Sequence, residues 1–179
     1  RPFRPAEDGY LATFSLPDGQ EEVDRYWVNA PFAYVVITYD DAESERYYHA
    51  VEPDLDAFER ELLGRLKTDI RAPLMYGSSD NTSTEKTLTT ELRRLLETYG
   101  IEVEMGTFYA LFYYLKRDFR DFGKLDPLLN DQHIEDISCD GYELPIFVYH
   151  DDYTDIQTNV SFGEEELDNF VIRLAQQSG

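Results

Sequence analysis

Cysteine, lysine and long apolar runs are scarce in this 179-residue sequence. Cys139 is the single cysteine, which excludes an internal disulfide and a metal site built from several thiolates and favours a reducing compartment. The longest run without a charged residue covers positions 26–39 and is interrupted by Asn29 and Pro31. A run of that length is too short to cross a bilayer as a helix. No direct membrane span is therefore predicted.

A phosphate-binding loop is missing as well. No Gly-x-x-x-x-Gly-Lys-Ser/Thr pattern occurs, and the small residues Gly77, Ser78 and Ser79 are not followed by a lysine that could reach a nucleotide. We therefore expect that the chain by itself does not hydrolyse ATP and holds no catalytic residues and no cofactor.

Positive charge is low and negative charge dominates. The 37 Asp and Glu residues outnumber the 16 Lys and Arg residues, which gives a formal charge of −21. Such a surface repels phosphate backbones and anionic lipid headgroups, which argues against nucleic-acid binding and membrane docking. The 42% of hydrophobic and 15% of aromatic residues are nevertheless typical of a folded protein rather than of an acidic disordered chain.

The basic residues are mostly arginines. There are only four lysines: Lys67, Lys86, Lys116 and Lys124. Few lysines and many carboxylates suit concentrated salt, where the Debye length falls to ~3 Å at 1 M and self-repulsion is screened. We expect a salt-adapted protein, and an acidic domain that works at ordinary salinity is the alternative.

β-Branched and aromatic residues are concentrated between positions 24 and 51. They predict strands at 24–29, 32–39 and 45–51. The middle strand, FAYVVITY, is apolar on both faces and should be covered on both sides. A helix is predicted next, with Asp54 as its N-cap and an apolar stripe of Leu55, Phe58, Leu62, Leu66 and Ile70 lying on the three strands.

Helical periodicity returns in the middle of the chain. Thr82 and Glu85 have the spacing of a capping box, and Gly100 is suited to end the helix that they begin. A third helix is predicted over 105–119. Because only a short loop joins these two helices, we expect an antiparallel hairpin.

Short strands and a last helix are predicted after Gly123. The expected elements are a short helix at 125–130 and strands at 134–139, 145–150 and 156–160. Ser161 and Glu164 repeat the capping-box spacing and should begin a final helix that bears Leu167, Phe170, Val171 and Leu174.

The predicted fold is α+β, with a small N-terminal sheet and covering helix, a helical hairpin, and a PAS-like three-stranded α/β unit. The predicted segments are an extended arm at 1–23, a sheet-plus-helix subdomain at 24–76, a linker at 77–83, the helical hairpin at 84–123 and the PAS-like domain at 124–179. The chain starts without Met and stops just after a helical pattern, so we expect a piece of a longer protein.

Asp151, Asp152 and Asp155 lie beside His150 and resemble a cation site. Hard cations take several carboxylate oxygens, but the spacing of a calcium loop is missing, and acidic residues group easily by chance in so acidic a chain. No metal site is therefore assigned.

Catalytic roles for the remaining polar residues are not favoured. Glu135 and Asp136 are adjacent in a predicted strand and should point to opposite faces, which argues against an acid–base pair. Cys139 has no evident base partner, so a buried structural thiol is expected.

Three arginines are candidates for contact with a nucleotide in a neighbouring subunit. An exposed arginine can reach a neighbour's phosphates in a ring-shaped assembly, as arginine fingers do. The candidates are Arg173, Arg120 and Arg117. The alternative for each is an ion pair with a nearby carboxylate.

Several sequence strings carry a family resemblance. Residues 124–179 contain KLDPLLND, IEDISCDG, PIFVYH, TNVSF and RLAQQSG, and the earlier strings are YWVNAPFAYVVI at 26–37 and YYHAVEP at 47–53. Together they resemble the region that precedes the nucleotide-binding core in archaeal type II/type IV secretion ATPases, the motors of type IV pili and archaella. The residues of this pattern, called the family-pattern residues below, are Asp131, Ile134, Glu135, Asp136, Ile137, Cys139, Asp140, Gly141, His150, Thr158 and Asn159. The acidic composition would suit a haloarchaeal member.

The resemblance implies a regulatory and oligomerisation module of a hexameric motor. ATP and Mg²⁺ would be bound by a C-terminal domain that this chain does not include. The implied partners are further copies of the parent, in a homo-hexamer, and a membrane platform protein, and the implied location is cytoplasmic, at the membrane through those partners. Two alternatives remain: a self-contained acidic adaptor that binds proteins, and a small metal-dependent enzyme centred on His150 and Asp151.

Overall fold

The computed structural model describes the backbone of residues 3–75 and 81–177 and the side chains of residues 3–70 and 85–176. The strands are β1 (Gln20–Asn29), β2 (Ala33–Asp40), β3 (Glu45–Val51), β4 (Ile134–Ser138), β5 (Pro145–His150) and β6 (Thr154–Ser161). The helices are α1 (Pro5–Asp8), α2 (Ala57–Met75), α3 (Asn81–Tyr99), α4 (Met105–Phe119), α5 (Asp126–Leu129) and α6 (Glu164–Gln177), with a 3₁₀ turn at Gly123–Leu125. The predicted α+β class is confirmed.

Most predicted elements are present with small changes at their ends. β1 begins four residues earlier than predicted, and α4 has the predicted bounds. Gly100 ends α3 with a φ of 67°, a left-handed conformation that glycine adopts without strain. Residues 77–80 of the predicted linker lie outside the described residues, and positions 81–83 belong to α3.

The start of α2 was predicted wrongly. Asp56, not Asp54, is the capping residue, because it exchanges hydrogen bonds with Glu59: the Glu59 N–H donates to Asp56 Oδ1 at 2.8 Å and the Asp56 N–H donates to Glu59 Oε2 at 2.9 Å. The Asp54 carboxylate instead accepts from the backbone N–H and the hydroxyl of Thr13, at 2.9 and 2.6 Å. Phe58, placed by the sequence on the apolar stripe, is 58% exposed.

The start of α6 also differs from the prediction. Ser161 is the last residue of β6, where it pairs with Pro145, because the sheet ladder extends past the predicted capping box. The helix begins at Glu164, after Gly163, whose N–H donates to Glu166 Oε2 at 3.0 Å. Val171, one of the apolar residues of this helix, is 55% exposed.

The chain folds into two compact units. The first comprises Arg1–Thr13, Ala30–Ala33 and Glu52–Asp126, and the second comprises Phe14–Asn29, Tyr34–Val51 and Pro127–Gly179. In the first unit α2, α3 and α4 pack around a leucine-rich core. That core consists of Leu62, Leu63, Leu66, Ile70, Leu88, Leu92, Leu95, Leu96, Leu111 and Leu115.

Two contacts show that α3 and α4 run antiparallel, as predicted. Lys116, late in α4, forms an ion pair of 2.9 Å with Glu85, early in α3. The guanidinium of Arg93, in the second half of α3, lies 4.7 Å from the ring centre of Phe108, in the first turn of α4. Among the described helices, none has the length and apolar character that a membrane-spanning segment needs.

The second unit contains one six-stranded sheet in the order β1-β2-β3-β6-β5-β4. The two sets of three strands, which the sequence assigns to separate subdomains, meet where β3 pairs parallel to β6, with Tyr47 opposite Gln157 and Tyr48 opposite Thr158. The side chain of Asn159 adds two hydrogen bonds to the backbone of Ala50, of 2.9 Å from its N–H and 3.0 Å to its carbonyl. The family-pattern residue Asn159 therefore extends the pairing between the two halves of the sheet.

Burial along β2 and β5 reflects their places in the sheet. The side chains of β2 from Ala33 to Thr38 are all buried, which confirms the prediction of a strand covered on both faces. Burial alternates along β5, where Ile146, Val148 and His150 are buried and Phe147 and Tyr149 are exposed. Period-two alternation thus places His150 inside the unit.

Candidate functional site

A group of polar side chains lies within the second unit where β5 ends and β4 begins. We call it the polar cluster, and it consists of Tyr26, Tyr48, Asp131, His133, His150 and Asp151. Strand alternation directs Tyr48 and His150 inward. Asp131 is held in a tight turn after α5, since its N–H bonds to the Leu128 carbonyl and its own carbonyl accepts from the Ile134 N–H, both at 3.3 Å.

Asp131 is the buried centre of the cluster, with 6% of its surface exposed. Its Oδ2 accepts hydrogen bonds of 2.7 Å from the hydroxyls of Tyr26 and Tyr48, and its Oδ1 accepts one of 2.9 Å from the N–H of His133. Three donors replace the water that the carboxylate loses on burial. Burial and this carboxylate raise the pKa of both tyrosine hydroxyls, so they stay protonated as donors.

His150 is held by hydrogen bonds at both ring nitrogens. Nδ1 accepts from the Asp152 N–H at 3.1 Å, and Nε2 lies 3.0 Å from the hydroxyl oxygen of Tyr26. Because the Tyr26 proton is donated to Asp131, the network assigns the ring proton to Nε2. Burial lowers the pKa of His150, so the ring is neutral at neutral pH.

His133 and Asp151 form the half-exposed side of the cluster. His133 Nδ1 lies 3.1 Å from Asp151 Oδ2, and this contact raises the pKa of His133 and lowers that of Asp151. Asp151 Oδ1 is also 3.2 Å from His150 Nδ1. The imidazole rings of His133 and His150 are stacked, with centres 5.3 Å apart and planes at 11°. The Asp151 N–H donates to the His133 carbonyl at 2.9 Å and so joins the β5–β6 turn to the segment before β4.

The family-pattern residues separate into two groups. Asp131, His150, Thr158 and Asn159 are engaged inside the sheet unit, and the Thr158 hydroxyl accepts from the Val160 N–H at 3.1 Å. The residues along β4 and its following turn are half-buried or exposed: Ile134, Glu135, Asp136, Ile137, Cys139, Asp140 and Gly141. Cys139 is exposed, so the expected buried thiol is wrong. A β-bulge between Ile134 and Asp136 interrupts the strict alternation on which the argument about Glu135 relied.

The three candidate arginines differ in burial. Arg117 is buried in the first unit, where Nη1 contacts both Glu52 oxygens at 2.9 and 2.8 Å and Nε contacts Asp118 Oδ1 at 2.7 Å. Its guanidinium also lies 4.8 Å from the ring centre of Tyr114. Arg117 thus has the ion pair that was the alternative to a nucleotide contact. Arg120 and Arg173 are half-buried, and a trans role for either stays a prediction.

Sequence patterns indicated only part of the polar cluster. His150 and Asp151 were recognised as neighbours, and Asp131 as part of the family pattern. Tyr26 contacts Asp131 across 105 positions, and no local pattern reports such a contact. The sequence feature that could have indicated Tyr26 and Tyr48 is their position in the two N-terminal strings that resemble the secretion ATPases.

Comparisons with known proteins agree with part of the resemblance. Residues 1–54 match a family model described as PilB3-like, N-terminal. The uncharacterised protein MJ1288 of Methanocaldococcus jannaschii is 33% identical over 150 residues, which are 82% of this chain and 60% of MJ1288. The uncharacterised protein MJ0781 of the same organism is 27% identical over 89 residues, which are 48% of this chain and 12% of MJ0781. The N-terminal part is therefore similar to that of a PilB-type secretion ATPase, and the chain spans less than two thirds of each relative.

Proposed function

We propose that this chain is the N-terminal regulatory and oligomerisation module of a hexameric secretion ATPase. The parent would power type II secretion, type IV pilus assembly or archaellum assembly by hydrolysing ATP in a C-terminal domain. The match of residues 1–54 to the PilB3-like N-terminal family carries the proposal. ATP and Mg²⁺ belong to the parent's catalytic domain in this proposal, and the module itself performs no catalysis.

The sheet topology supports a module that is longer than the matched region. Residues 1–54 contain β1, β2 and β3, whereas β6, the other neighbour of β3, ends at Ser161. Without β6, β3 would be an unpaired sheet edge with many apolar side chains beside it. Strands β1–β3 of the matched region therefore share one sheet with the later IEDISCDG segment, which supports a module that extends to at least residue 161.

Exposed apolar side chains on the second unit support contact with other proteins. Phe147 and Tyr149 are exposed on β5, and Val171 and Ile172 are more than half exposed on α6. Exposed apolar side chains mark a protein–protein interface where they form a continuous patch, which we propose for this surface. In our proposal it is used by neighbouring copies in the hexamer and by a membrane platform protein, so the parent works in the cytoplasm at the membrane.

The proposal is tested with the parent protein expressed from its own gene. We expect the parent to be a hexamer that hydrolyses ATP. A variant without residues 1–179 should form a smaller assembly, with fewer copies, and hydrolyse ATP more slowly. The isolated chain should show no activity. The parent with its Walker A lysine changed to alanine is the matched control, since it should keep the hexameric mass and lose hydrolysis. ATP hydrolysis by the isolated chain at the parent's rate would contradict the proposal.

The acidic adaptor is the second candidate, and the size of one relative favours it. The 150 aligned residues are 60% of MJ1288, so that protein has about 250 residues and about 100 remain outside the match. A remainder of ~100 residues is enough for one domain of ordinary size but lies in the shorter half of the usual range. For MJ0781, 89 residues are 12%, so about 740 residues leave ample room for a catalytic domain.

Reading the gene beyond position 179 separates the two candidates. A Walker A sequence within the following ~150 residues, the size of a typical domain, supports the motor. A stop codon in that stretch supports the adaptor, which we would then expect to bind a basic partner through its acidic surface.

A further inference from the structure

The polar cluster contains three metal-ligand atoms in one place. His133, His150 and Asp151 each offer one, and these atoms lie within 4.8 Å of one another. Asp151 Oδ2 is 3.1 Å from His133 Nδ1, and Asp151 Oδ1 is 3.2 Å from His150 Nδ1. Tetrahedral Zn²⁺ with bonds of 2.0–2.2 Å to nitrogen and oxygen separates its ligand atoms by ~3.3 Å. The carboxylate is therefore already at ligand spacing from both imidazoles.

The ligand types indicate which ions fit. Imidazole nitrogen suits Zn²⁺, Cu²⁺, Ni²⁺ and Co²⁺, whereas Mg²⁺ and Ca²⁺ are bound by oxygen. Two nitrogens and one carboxylate resemble the three-ligand sets that leave a fourth position for water. From the sequence we considered aspartates beside His150, and His133 adds the second imidazole nitrogen that favours a transition metal.

Supporting hydrogen bonds hold one of the ligands in place. Metal-bound histidines donate their other ring N–H to a partner that fixes the ring's orientation. His150 Nε2–H donates to the Tyr26 hydroxyl at 3.0 Å, and Tyr26 donates in turn to the buried Asp131 at 2.7 Å. This arrangement leaves the Nδ1 lone pair of His150 on the side of Asp151.

Two contacts of the ligand nitrogens compete with the ion. The ion must displace the proton that His133 Nδ1 shares with Asp151 Oδ2 across 3.1 Å. His150 Nδ1 accepts from the Asp152 N–H at 3.1 Å, and metal binding must replace that contact. Asp152 is exposed in the turn between β5 and β6, so its N–H can be hydrated after a small movement of the turn.

We infer that His133, His150 and Asp151 bind one divalent transition-metal ion of the zinc class, which links the β5–β6 turn to the segment before β4. This inference does not depend on the proposed function. The ion would join residues that are 18 positions apart in the sequence.

The test uses the untagged, metal-free chain in concentrated KCl with excess MgCl₂, which occupies non-specific acidic sites. The background is Cys139→Ser, so that the exposed thiol contributes nothing. We expect calorimetric titration with ZnCl₂ to show one ion per chain, and CoCl₂ to give the visible absorption of four-coordinate Co²⁺. Binding of no ion would overturn the inference.

Variants identify the ligands. His133→Gln and Asp151→Asn change half-exposed side chains and should fold, and each should weaken Zn²⁺ binding more than about tenfold. Tyr26→Phe should weaken it less, by about tenfold, through the lost support of His150. Asp155→Asn, an exposed carboxylate from the same acidic stretch, is the matched control and should bind as the starting protein does. The inference would be overturned if His133→Gln and Asp151→Asn bound Zn²⁺ as tightly as the starting protein. It would also be overturned if Asp155→Asn lost as much affinity as those two variants.

Discussion

The hydroxyl of Tyr48 donates a 2.7 Å hydrogen bond to the carboxylate of Asp131, 83 positions later in the sequence. Both residues are buried, and Tyr48 has no exposed surface. The bond joins the N-terminal half of the sheet to the family-pattern residue that precedes β4. A buried carboxylate that loses a donor is not compensated by water. The stability of the second unit should therefore depend on this contact.

Removal of this hydroxyl should destabilise the protein. Tyr48→Phe keeps the ring and removes one of three donors to Asp131, so we expect a loss of about 1–3 kcal/mol in the free energy of unfolding. Urea denaturation measures the change. Tyr47→Phe is the matched control, because Tyr47 donates to Glu43 at the surface, and its effect should stay within about 0.5 kcal/mol. If both variants changed the free energy of unfolding by the same amount, the buried hydrogen bond would contribute no more than the exposed one.

Asp126 gives the stability of the chain a pH dependence. It is buried, and burial, followed by the charge of Asp121, raises its pKa from 3.8 to about 6, against a smaller opposing effect of the Phe122 backbone N–H. Between these values the folded chain binds more protons than the unfolded chain, so this group's contribution to stability falls as pH rises from about 4 to 6.

Asp126→Asn removes that contribution. At pH 7 the variant should be more stable than the starting protein by on the order of 2 kcal/mol, and near pH 4 the difference should disappear. Thermal unfolding across pH 4–7 measures it. The exposed Asp140→Asn serves as control and should show no such trend. A constant offset at every pH would mean that the change acts through packing.

Arg117 should be important for stability rather than for nucleotide contact. Arg117→Leu leaves the half-buried Glu52 without its cation, which costs about 3 kcal/mol, the lower end of the range for a buried pair. Arg65→Leu removes an exposed ion pair with Asp69 and should change the free energy by less than about 0.5 kcal/mol. Denaturation of both variants gives the comparison. If Arg117→Leu left stability unchanged and abolished ATP hydrolysis in the parent, a contact in trans would be the better explanation.

The charge of −21 should make stability depend on salt. Self-repulsion destabilises the compact state at low ionic strength and is screened within ~3 Å at 1 M salt. We expect a higher melting temperature in molar KCl than in dilute buffer. Sorbitol at equal osmolality is the control, because it leaves the charges unscreened. A melting temperature that does not change with KCl would favour the acidic domain that works at ordinary salinity.

Local patterns predicted the elements well and their ends less well. The bounds of α4 and the end of α3 at Gly100 follow from helical period and from glycine's backbone freedom. The cap of α2 was predicted at Asp54, although Asp56 and Glu59 have the capping-box spacing, and their reciprocal hydrogen bonds form in the structure. Ser161 was predicted as a helix cap but belongs to β6, because sheet pairing is a non-local interaction that overrides a capping preference.

The non-local part of the structure was not predictable in the same way. The parallel pairing of β3 with β6 joins strands that each look complete within their own three-stranded set. Asp131 was named as a site residue because of the family resemblance. Its tyrosine partners were not named, because strand alternation gives the direction of a side chain and not the element that it contacts. His133 was not among the predicted site residues, because its partner Asp151 lies 18 positions away and no local pattern joins the two.

The pairing of β3 with β6 also constrains the order in which the chain can fold during synthesis. Asn159, which pairs with Ala50, follows it by 109 positions, and most of the helical unit, Glu52–Asp126, is made in between. The helices have largely local contacts and can form as they leave the ribosome. β3, in contrast, must wait with an open edge until β6 emerges. Ribosome-bound chains stopped before β6 should therefore be the species most prone to aggregate and most in need of a chaperone.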